Sequence, residues 1–221
     1  MLELVLFDLD GTLADTAPDL AGALNRLRVE RGLPTHPMAM LRPYTSQGVR
    51  GLLKAGFDIQ PGHPDYESLF QRFLEIYEAH LCVETRLFDG MDQILSAIEA
   101  QGLRWGIVTN KRMRFTEPLV AALGLSARAA TVVSGDTTAE TKPSPLPLLH
   151  ACTHVGIAPE YALYIGDDRR DIEAGKAAGM RTAAVRFGYL GDGGPIESWG
   201  ADEIVDVVAD LSGCIFRRQN H

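Results

Sequence analysis

Six short apolar segments recur along the chain, and the first ends abruptly at Asp8. They span residues 2–7, 103–108, 130–133, 161–165, 182–185 and, more weakly, 203–207. Runs of this length predict β-strands that are buried on both faces. Between most of them, apolar residues at helical spacing predict helices over 93–100, 115–123, 145–155 and 171–178. Strands that alternate with helices of this length indicate an α/β fold with a parallel sheet covered on both faces.

Residues 15–82 interrupt this alternation, because they separate the first strand from the second by far more than one crossover helix. The segment has helical patterns over about 17–31, 38–55 and 66–81, the last being the clearest. We therefore predict a helical domain at 15–82, inserted into a core formed by residues 1–14 and 83–221.

Charge and cysteine content limit the classes of partner and compartment. The 21 Lys and Arg against 29 Asp and Glu give a formal net charge of −8, which disfavours nucleic acid and anionic lipid as partners. Cys82, Cys152 and Cys214 are far apart and form no pair with metal-ligand spacing, so we expect a reducing, cytoplasmic environment. The first apolar run is too short for a membrane span, and no export signal precedes it.

Polar residues follow several of the predicted strands. They are Asp8, Asp10, Thr109, Asn110, Lys142, Asp167, Asp168 and Asp171. Ligands of open parallel sheets bind at the carboxyl ends of the strands, so we expect these side chains to meet in one crevice. Grouped carboxylates repel one another unless a cation neutralises them, and an all-oxygen set suits a hard ion such as Mg²⁺. The sequence therefore predicts a magnesium site.

Four segments resemble the motifs of the haloacid dehalogenase-like hydrolases. In chain order they are Asp8-Leu9-Asp10-Gly11-Thr12, Thr109, Lys142 in Lys142-Pro143-Ser144-Pro145, and Gly166-Asp167-Asp168-Arg169-Arg170-Asp171. The resemblance extends over residues 4–206. It implies a Rossmann-like parallel sheet core, and it identifies the insertion at 15–82 as a helical cap, a mobile lid that selects the leaving group.

The resemblance implies the chemistry of a phosphomonoesterase. Asp8 would attack phosphorus and form an aspartyl-phosphate, and Asp10 would act as general acid and then as general base. Mg²⁺ would be held by Asp8, the Asp10 backbone carbonyl and Asp167. The implied ligands of the phosphoryl group are Thr12, Thr109, Asn110 and Lys142. For Asp168 and Asp171, direct metal binding and a supporting role both stay open.

The presence of Asp10 favours an oxygen ester over a halide, because a halide leaves without protonation. Phe187-Gly188-Tyr189 and Trp199-Gly200-Ala201-Asp202 are similar to phosphoglycolate phosphatases and to N-acetylmuramic acid 6-phosphate phosphatases. We expect a small phosphorylated metabolite of the 2-phosphoglycolate type as substrate, with N-acetylmuramic acid 6-phosphate as the first alternative. A sugar phosphomutase and a non-catalytic phosphate-binding regulator are the further alternatives.

In the predicted cap, the segment from Tyr44 to Arg50 carries small polar residues and glycines that allow close approach to a ligand. Arg50 is its candidate for pairing with a second anionic group of the substrate. The alternative is that Arg50 is an ordinary surface charge on a helix. The sequence is consistent with a monomer or a homodimer.

Overall fold

A six-stranded parallel sheet forms the centre of the molecule in the computed structural model, which describes residues 1–216. The strands of the chain are β1 (Leu4–Phe7), β2 (Ala14–Asp15), β3 (Arg86–Leu87), β4 (Arg104–Val108), β5 (Thr131–Val133), β6 (Ala162–Gly166), β7 (Arg181–Val185) and β8 (Glu203–Val205). The order in the large sheet is β5-β4-β1-β6-β7-β8, and every pair in it is parallel. The predicted α/β fold with a Rossmann-like parallel sheet is confirmed.

Helices cover both faces of this sheet. The helices of the chain are α1 (Ala17–Glu30), α2 (Met38–Leu41), α3 (Gly48–Phe57), α4 (Tyr66–Ala79), α5 (Met91–Ala100), α6 (Met113–Ala122), α7 (Leu146–Val155), α8 (Arg169–Ala177) and α9 (Leu211–Phe216). Val5 and Phe7 pack with residues of α5, α6 and α9, whereas Leu4 and Leu6 pack with residues of α7 and α8. Successive side chains of a strand point to opposite faces, which is why β1 is apolar throughout.

The insertion has an apolar core of its own. Leu24, Leu27, Leu52, Phe73 and Tyr77 from α1, α3 and α4 belong to one cluster of buried side chains. The four helices of the insertion lie within the predicted limits of 15 and 82, and residues 217–221 of the predicted core lie outside the described part of the chain.

The chain leaves the core and returns to it through two paired strands. β2 and β3 are antiparallel, with Ala14 opposite Leu87 and Asp15 opposite Arg86. This small sheet pairs the segment that enters the insertion with the segment that leaves it. The sequence analysis did not predict these two strands.

The strand order sets the location of a ligand site. β1 lies between β4 and β6, and the chain runs from β1 to either side of the sheet. Open α/β sheets bind ligands outside the carboxyl ends of the strands at such a point. None of the helices within residues 1–216 is long and apolar enough to cross a lipid bilayer.

Candidate active site

Asp8 and Asp10 follow the carboxyl end of β1 in a tight turn. The turn depends on Gly11, which has φ +86, a backbone conformation that L side chains rarely adopt. A Cβ at this glycine would lie 2.3 Å from Oδ2 of Asp167. The glycine therefore lets the turn after β1 approach the carboxylate that follows β6.

Lys142 is the buried cation at the centre of the site. Its Nζ lies 2.9 Å from Asp8 Oδ1 and 2.7 Å from Asp171 Oδ1. It also donates hydrogen bonds to Val108 O at 3.0 Å and to Tyr164 Oη at 2.7 Å. Burial alone would lower the pKa of Lys142, but the charges of Asp171 and Asp8 outweigh it and raise the pKa. The ammonium therefore stays charged and holds the two carboxylates.

Three carboxylates form a group that could hold a metal ion. One oxygen from each of Asp8, Asp167 and Asp171 lies within 4.8 Å of the other two. Burial and the charge of Asp171 raise the pKa of Asp8 to about 6, although Lys142 opposes the shift. Burial, with the charges of Asp8 and Asp171, raises the pKa of Asp167 well above its usual range. Buried, mutually repelling oxygen donors fit a hard divalent cation, which would stabilise their charged forms.

The predicted phosphoryl ligands occupy different positions. Thr109, buried after β4, and Asn110 line the cavity beside Asp8. The Asn110 side chain donates to Lys142 O and accepts from Lys142 N, both at 3.0 Å, so its amide holds the Lys142 backbone. Thr12 is fully buried and donates to Asp167 Oδ1 at 2.9 Å. Thr12 supports Asp167 and is absent from the cavity lining.

The Asp10 carboxylate is bonded by Lys111, which follows β4, and by Thr16, which precedes α1. Lys111 Nζ lies 2.9 Å from Asp10 Oδ1 and 3.2 Å from Oδ2, and Thr16 Oγ1 donates to Oδ1 at 2.5 Å. Burial would lower the pKa of Lys111, but the charge of Asp10 and the neighbouring Tyr77 raise it. Lys111 is therefore a charged partner of Asp10.

The insertion closes the crevice into a cavity of about 270 Å³. Residues 45–49 and helices α1 and α4 contribute to its lining, together with the strand ends and Phe115. Arg50 is exposed and does not line this cavity. It lines an adjacent depression with Arg170 and Asp192.

Asp168 links the core to the insertion. It caps α8 by accepting a hydrogen bond from Arg170 N, within a capping box completed by Asp171. Ser46 Oγ donates to Asp168 Oδ2 at 2.6 Å, and Arg170 Nη2 donates to Ser46 O at 2.9 Å. Burial would raise the pKa of Asp168, but its bonds with Arg170 and Ser46 hold the pKa below its usual value.

Tyr189 connects the carboxylate group to the start of the insertion. Its backbone N–H donates to Asp167 Oδ2 at 2.7 Å. Its hydroxyl accepts from the N–H groups of Thr16 and Ala17 at 2.7 and 2.8 Å and donates to Asp15 Oδ1 at 2.9 Å.

Comparison with known proteins agrees with this geometry. The family model described as haloacid dehalogenase-like hydrolase matches residues 5–185. The chain belongs to this family. The match contains all four motifs at the strand ends, from Asp8 to Asp171.

Relatives in the family have phosphatase names. N-acetylmuramic acid 6-phosphate phosphatase of Pseudomonas aeruginosa is 46% identical over 210 residues, covering 95% of this chain and 93% of that protein. Phosphoglycolate phosphatase of Xanthomonas campestris pv. campestris is 46% identical over 206 residues, covering 91% of each. A crystal structure described as a predicted phosphoglycolate phosphatase from Haemophilus somnus has a TM-score of 0.84 at 28% identity, covering 96% of this chain and 97% of that chain.

These similarities confirm the predicted enzyme class, a phosphoric monoester hydrolase. Haloacid dehalogenase-like phosphatases generally use a divalent metal ion, and the carboxylate group provides oxygen ligands for one.

The sequence motifs did not indicate several residues of the site. They are Tyr77, Lys111 and Tyr164. Lys111 directly follows Thr109-Asn110, which was the only local signal for its location. The others contact the site through packing between elements distant in sequence.

Proposed function

We propose that the chain is a Mg²⁺-dependent phosphomonoesterase that acts through an aspartyl-phosphate on Asp8. The observation that carries the proposal is the position of Asp8, which follows the central strand and lies 2.9 Å from Lys142 Nζ. The Asp8 carboxylate is also within 4.8 Å of the oxygens of Asp167 and Asp171. A nucleophile beside a buried ammonium and a metal-binding group is equipped to attack a phosphoryl group.

Asp8 and Asp10 carry out the reaction in two chemical steps. In the first, an Asp8 oxygen attacks phosphorus while the P–O bond to the leaving group breaks, and Asp10 gives its proton to the leaving oxygen. In the second, water attacks the same phosphorus, Asp10 takes a proton from that water, and the bond to Asp8 breaks. Inorganic phosphate leaves, and the Asp8 carboxylate is restored.

The remaining polar residues bind the phosphoryl group or position the residues that bind it. Thr109 and Lys142 donate to the phosphoryl oxygens, so the charge of the transition state meets donors already in position. Thr12 and Asn110 were predicted as ligands too, and their contacts with Asp167 and Lys142 favour supporting roles. Arg50 is exposed and lies outside the cavity. It could therefore contact an anionic group of the substrate only at the rim of the cavity.

Mg²⁺ is the proposed metal, held by Asp8, Asp167 and the Asp10 backbone carbonyl, and it supplies charge screening between nucleophile and phosphate. Asp171 uses Oδ1 for Lys142 and Oδ2 for the Asp168 N–H. Asp171 is therefore a positioning residue for Lys142.

The substrate is a small phosphorylated metabolite of the 2-phosphoglycolate type. Relatives that are named phosphoglycolate phosphatase support this assignment. N-acetylmuramic acid 6-phosphate is the second candidate. It is favoured by the relative named for that ester and by the apolar side chains of Phe70, Leu74 and Phe115 in the cavity lining, which suit a larger leaving group. Helices α1–α4, within 15–82, form the cap that selects between them. We expect a cytoplasmic monomer or homodimer.

The test is phosphate release from a panel of both esters, hexose phosphates and phenyl phosphate, with Mg²⁺ or with a chelator. Wild-type protein should release phosphate only with Mg²⁺, and Asp8→Asn should abolish release while the fold persists. Asp89→Asn, at an exposed aspartate, is the matched control and should retain activity. Substantial turnover by Asp8→Asn would reject the mechanism, and isomerised product without phosphate would indicate a mutase.

A further inference from the structure

The cavity lining has two chemically distinct parts. The strand ends contribute carboxylates, Thr109 and Lys142, whereas the cap and α6 contribute the apolar side chains. The apolar part comprises Leu20, Val49, Phe70, Leu74 and Phe115. Tyr77 lies on α4 with Phe70 and Leu74, and its ring centroid is 5.5 Å from that of Phe115. Tyr77 thus brings a hydroxyl into the apolar part of the lining.

The hydroxyl of Tyr77 is buried, with Lys111 as its polar neighbour, and its proton has no acceptor among residues 1–216. The residue as a whole is 2% exposed. A buried donor left without an acceptor costs ~1–3 kcal/mol, and such groups are rare in folded proteins. Burial raises the pKa of Tyr77 to about 12, so the hydroxyl keeps its proton at neutral pH and can donate it to an acceptor.

Lys111 lies between this tyrosine and the proposed acid–base residue. Its Nζ is 4.9 Å from the centroid of the Tyr77 ring and 2.9 Å from Asp10 Oδ1. An ammonium group has three donors, and Asp10 provides the one carboxylate with which Lys111 forms an ion pair within residues 1–216. Lys111 therefore lies beside the group that would protonate the ester oxygen.

We infer that the Tyr77 hydroxyl and the Lys111 ammonium together bind an oxygen acceptor on the leaving group, close to the ester bond. The acceptor is a hydroxyl, carbonyl or carboxylate oxygen. This inference rests on the proposed phosphatase function and adds a specificity determinant to it. A leaving group with such an oxygen would accept the hydroxyl proton of Tyr77, and a purely aliphatic one would leave that donor without an acceptor.

The experiment uses three esters with the same two-carbon skeleton: 2-phosphoglycolate, 2-hydroxyethyl phosphate and ethyl phosphate. We expect wild-type protein to hydrolyse the oxygen-bearing esters with higher kcat/KM than ethyl phosphate. Tyr77→Phe should reduce this advantage by roughly tenfold, the effect of one lost hydrogen bond in a buried site, and chiefly through KM. An unchanged ratio in Tyr77→Phe would overturn the inference.

The matched control is Tyr66→Phe, which removes a hydroxyl from another buried tyrosine of the cap that does not line the cavity. Its ester preference should equal that of wild type. Thermal unfolding gives an independent readout, because removing a buried hydroxyl whose proton has no acceptor should leave Tyr77→Phe about as stable as wild type. A large fall in Tm would instead assign the hydroxyl to the fold and overturn the inference.

The outcomes separate this inference from the proposed function. If wild-type protein releases phosphate neither from these three esters nor from any member of the panel described above, the phosphatase proposal fails. If it hydrolyses all three esters equally well, the phosphatase stands and the acceptor site fails. An advantage shared by both oxygen-bearing esters supports a general acceptor, and one confined to 2-phosphoglycolate supports a carboxylate.

Discussion

Ser46 Oγ lies 2.6 Å from Asp168 Oδ2 and donates a hydrogen bond between the helical insertion and the residues that follow β6. Arg170 strengthens this link, since it binds the Asp168 carboxylate and also donates to the backbone oxygen of Ser46. Both Ser46 and Asp168 line the cavity. A hydrogen bond to a charged carboxylate thus links the segment 42–47 to the start of α8 at the edge of the cavity.

Replacing Ser46 with Ala should weaken substrate binding. A hydrogen bond to a charged group contributes ~1.5–3 kcal/mol, so its loss should raise KM by roughly tenfold or more through a smaller closed population. Steady-state kinetics of phosphate release measure this change. Ser212→Ala, at an exposed serine of α9, is the control, and a KM equal to that of the control would contradict the role of the link.

Lys142→Met should destabilise the fold. Removal of the ammonium leaves Asp8 and Asp171 as buried carboxylates without their cation, and breaking one side of a buried ion pair costs ~3–5 kcal/mol. Urea unfolding of the metal-free protein measures the loss. Lys54→Met, at an exposed lysine, should change the free energy of unfolding by less than ~0.5 kcal/mol. Equal stabilities of the two variants would show that Lys142 does not balance the carboxylates.

Mg²⁺ should raise the Tm of the protein, because an ion that binds only the folded state shifts unfolding by mass action. The shift should increase with Mg²⁺ concentration and disappear when a chelator is added. Asp167→Asn should lose most of the shift, whereas the exposed Asp89→Asn should keep it. Retention of the full shift by Asp167→Asn would remove Asp167 from the metal site.

Metal-free protein should lose stability as the pH rises from about 4 to about 6. Asp8 has a folded pKa of about 6 against 3.8 in the unfolded chain, so in this window the folded state holds a proton that the unfolded state has released. That contribution to stability is complete below pH 3.8 and is lost as the pH passes 6. Urea unfolding in the presence of a chelator measures the free energy of unfolding at each pH. This free energy should fall more steeply between pH 4 and 6 for wild type than for Asp8→Asn, and parallel curves for the two proteins would refute the prediction.

Much of the core was predictable because its signals are local. All six predicted strands are present in the parallel sheet. The central strands are buried on both faces and must be apolar along their length, whereas β8 lies at the edge with Ile204 exposed, in keeping with its weaker pattern. The two-residue strands Ala14–Asp15 and Arg86–Leu87 were missed, because their pairing joins segments about 70 residues apart and leaves no periodic pattern.

The candidate site divides in the same way. Asp8, Thr109 and Asp167 could be located because each follows a predicted strand. Ser46 lies in the segment 44–50 that was predicted to approach a ligand, but its bond with Asp168 was not predicted. Tyr77 could not be located, because its position depends on how helix α4 packs against the rest of the molecule. Sequence reasoning therefore located the residues proposed for the chemistry better than those proposed for specificity.

Tyr189 links the carboxylate that follows β6 to the start of the helical insertion. One residue bonds Asp167 through its backbone and Asp15, Thr16 and Ala17 through its hydroxyl. The start of the helical insertion, at Asp15 to Ala17, is therefore positioned by a residue more than 170 positions downstream in the chain. We therefore expect helices α1–α4, if transplanted, to keep these contacts only in a recipient that provides a tyrosine hydroxyl at this position.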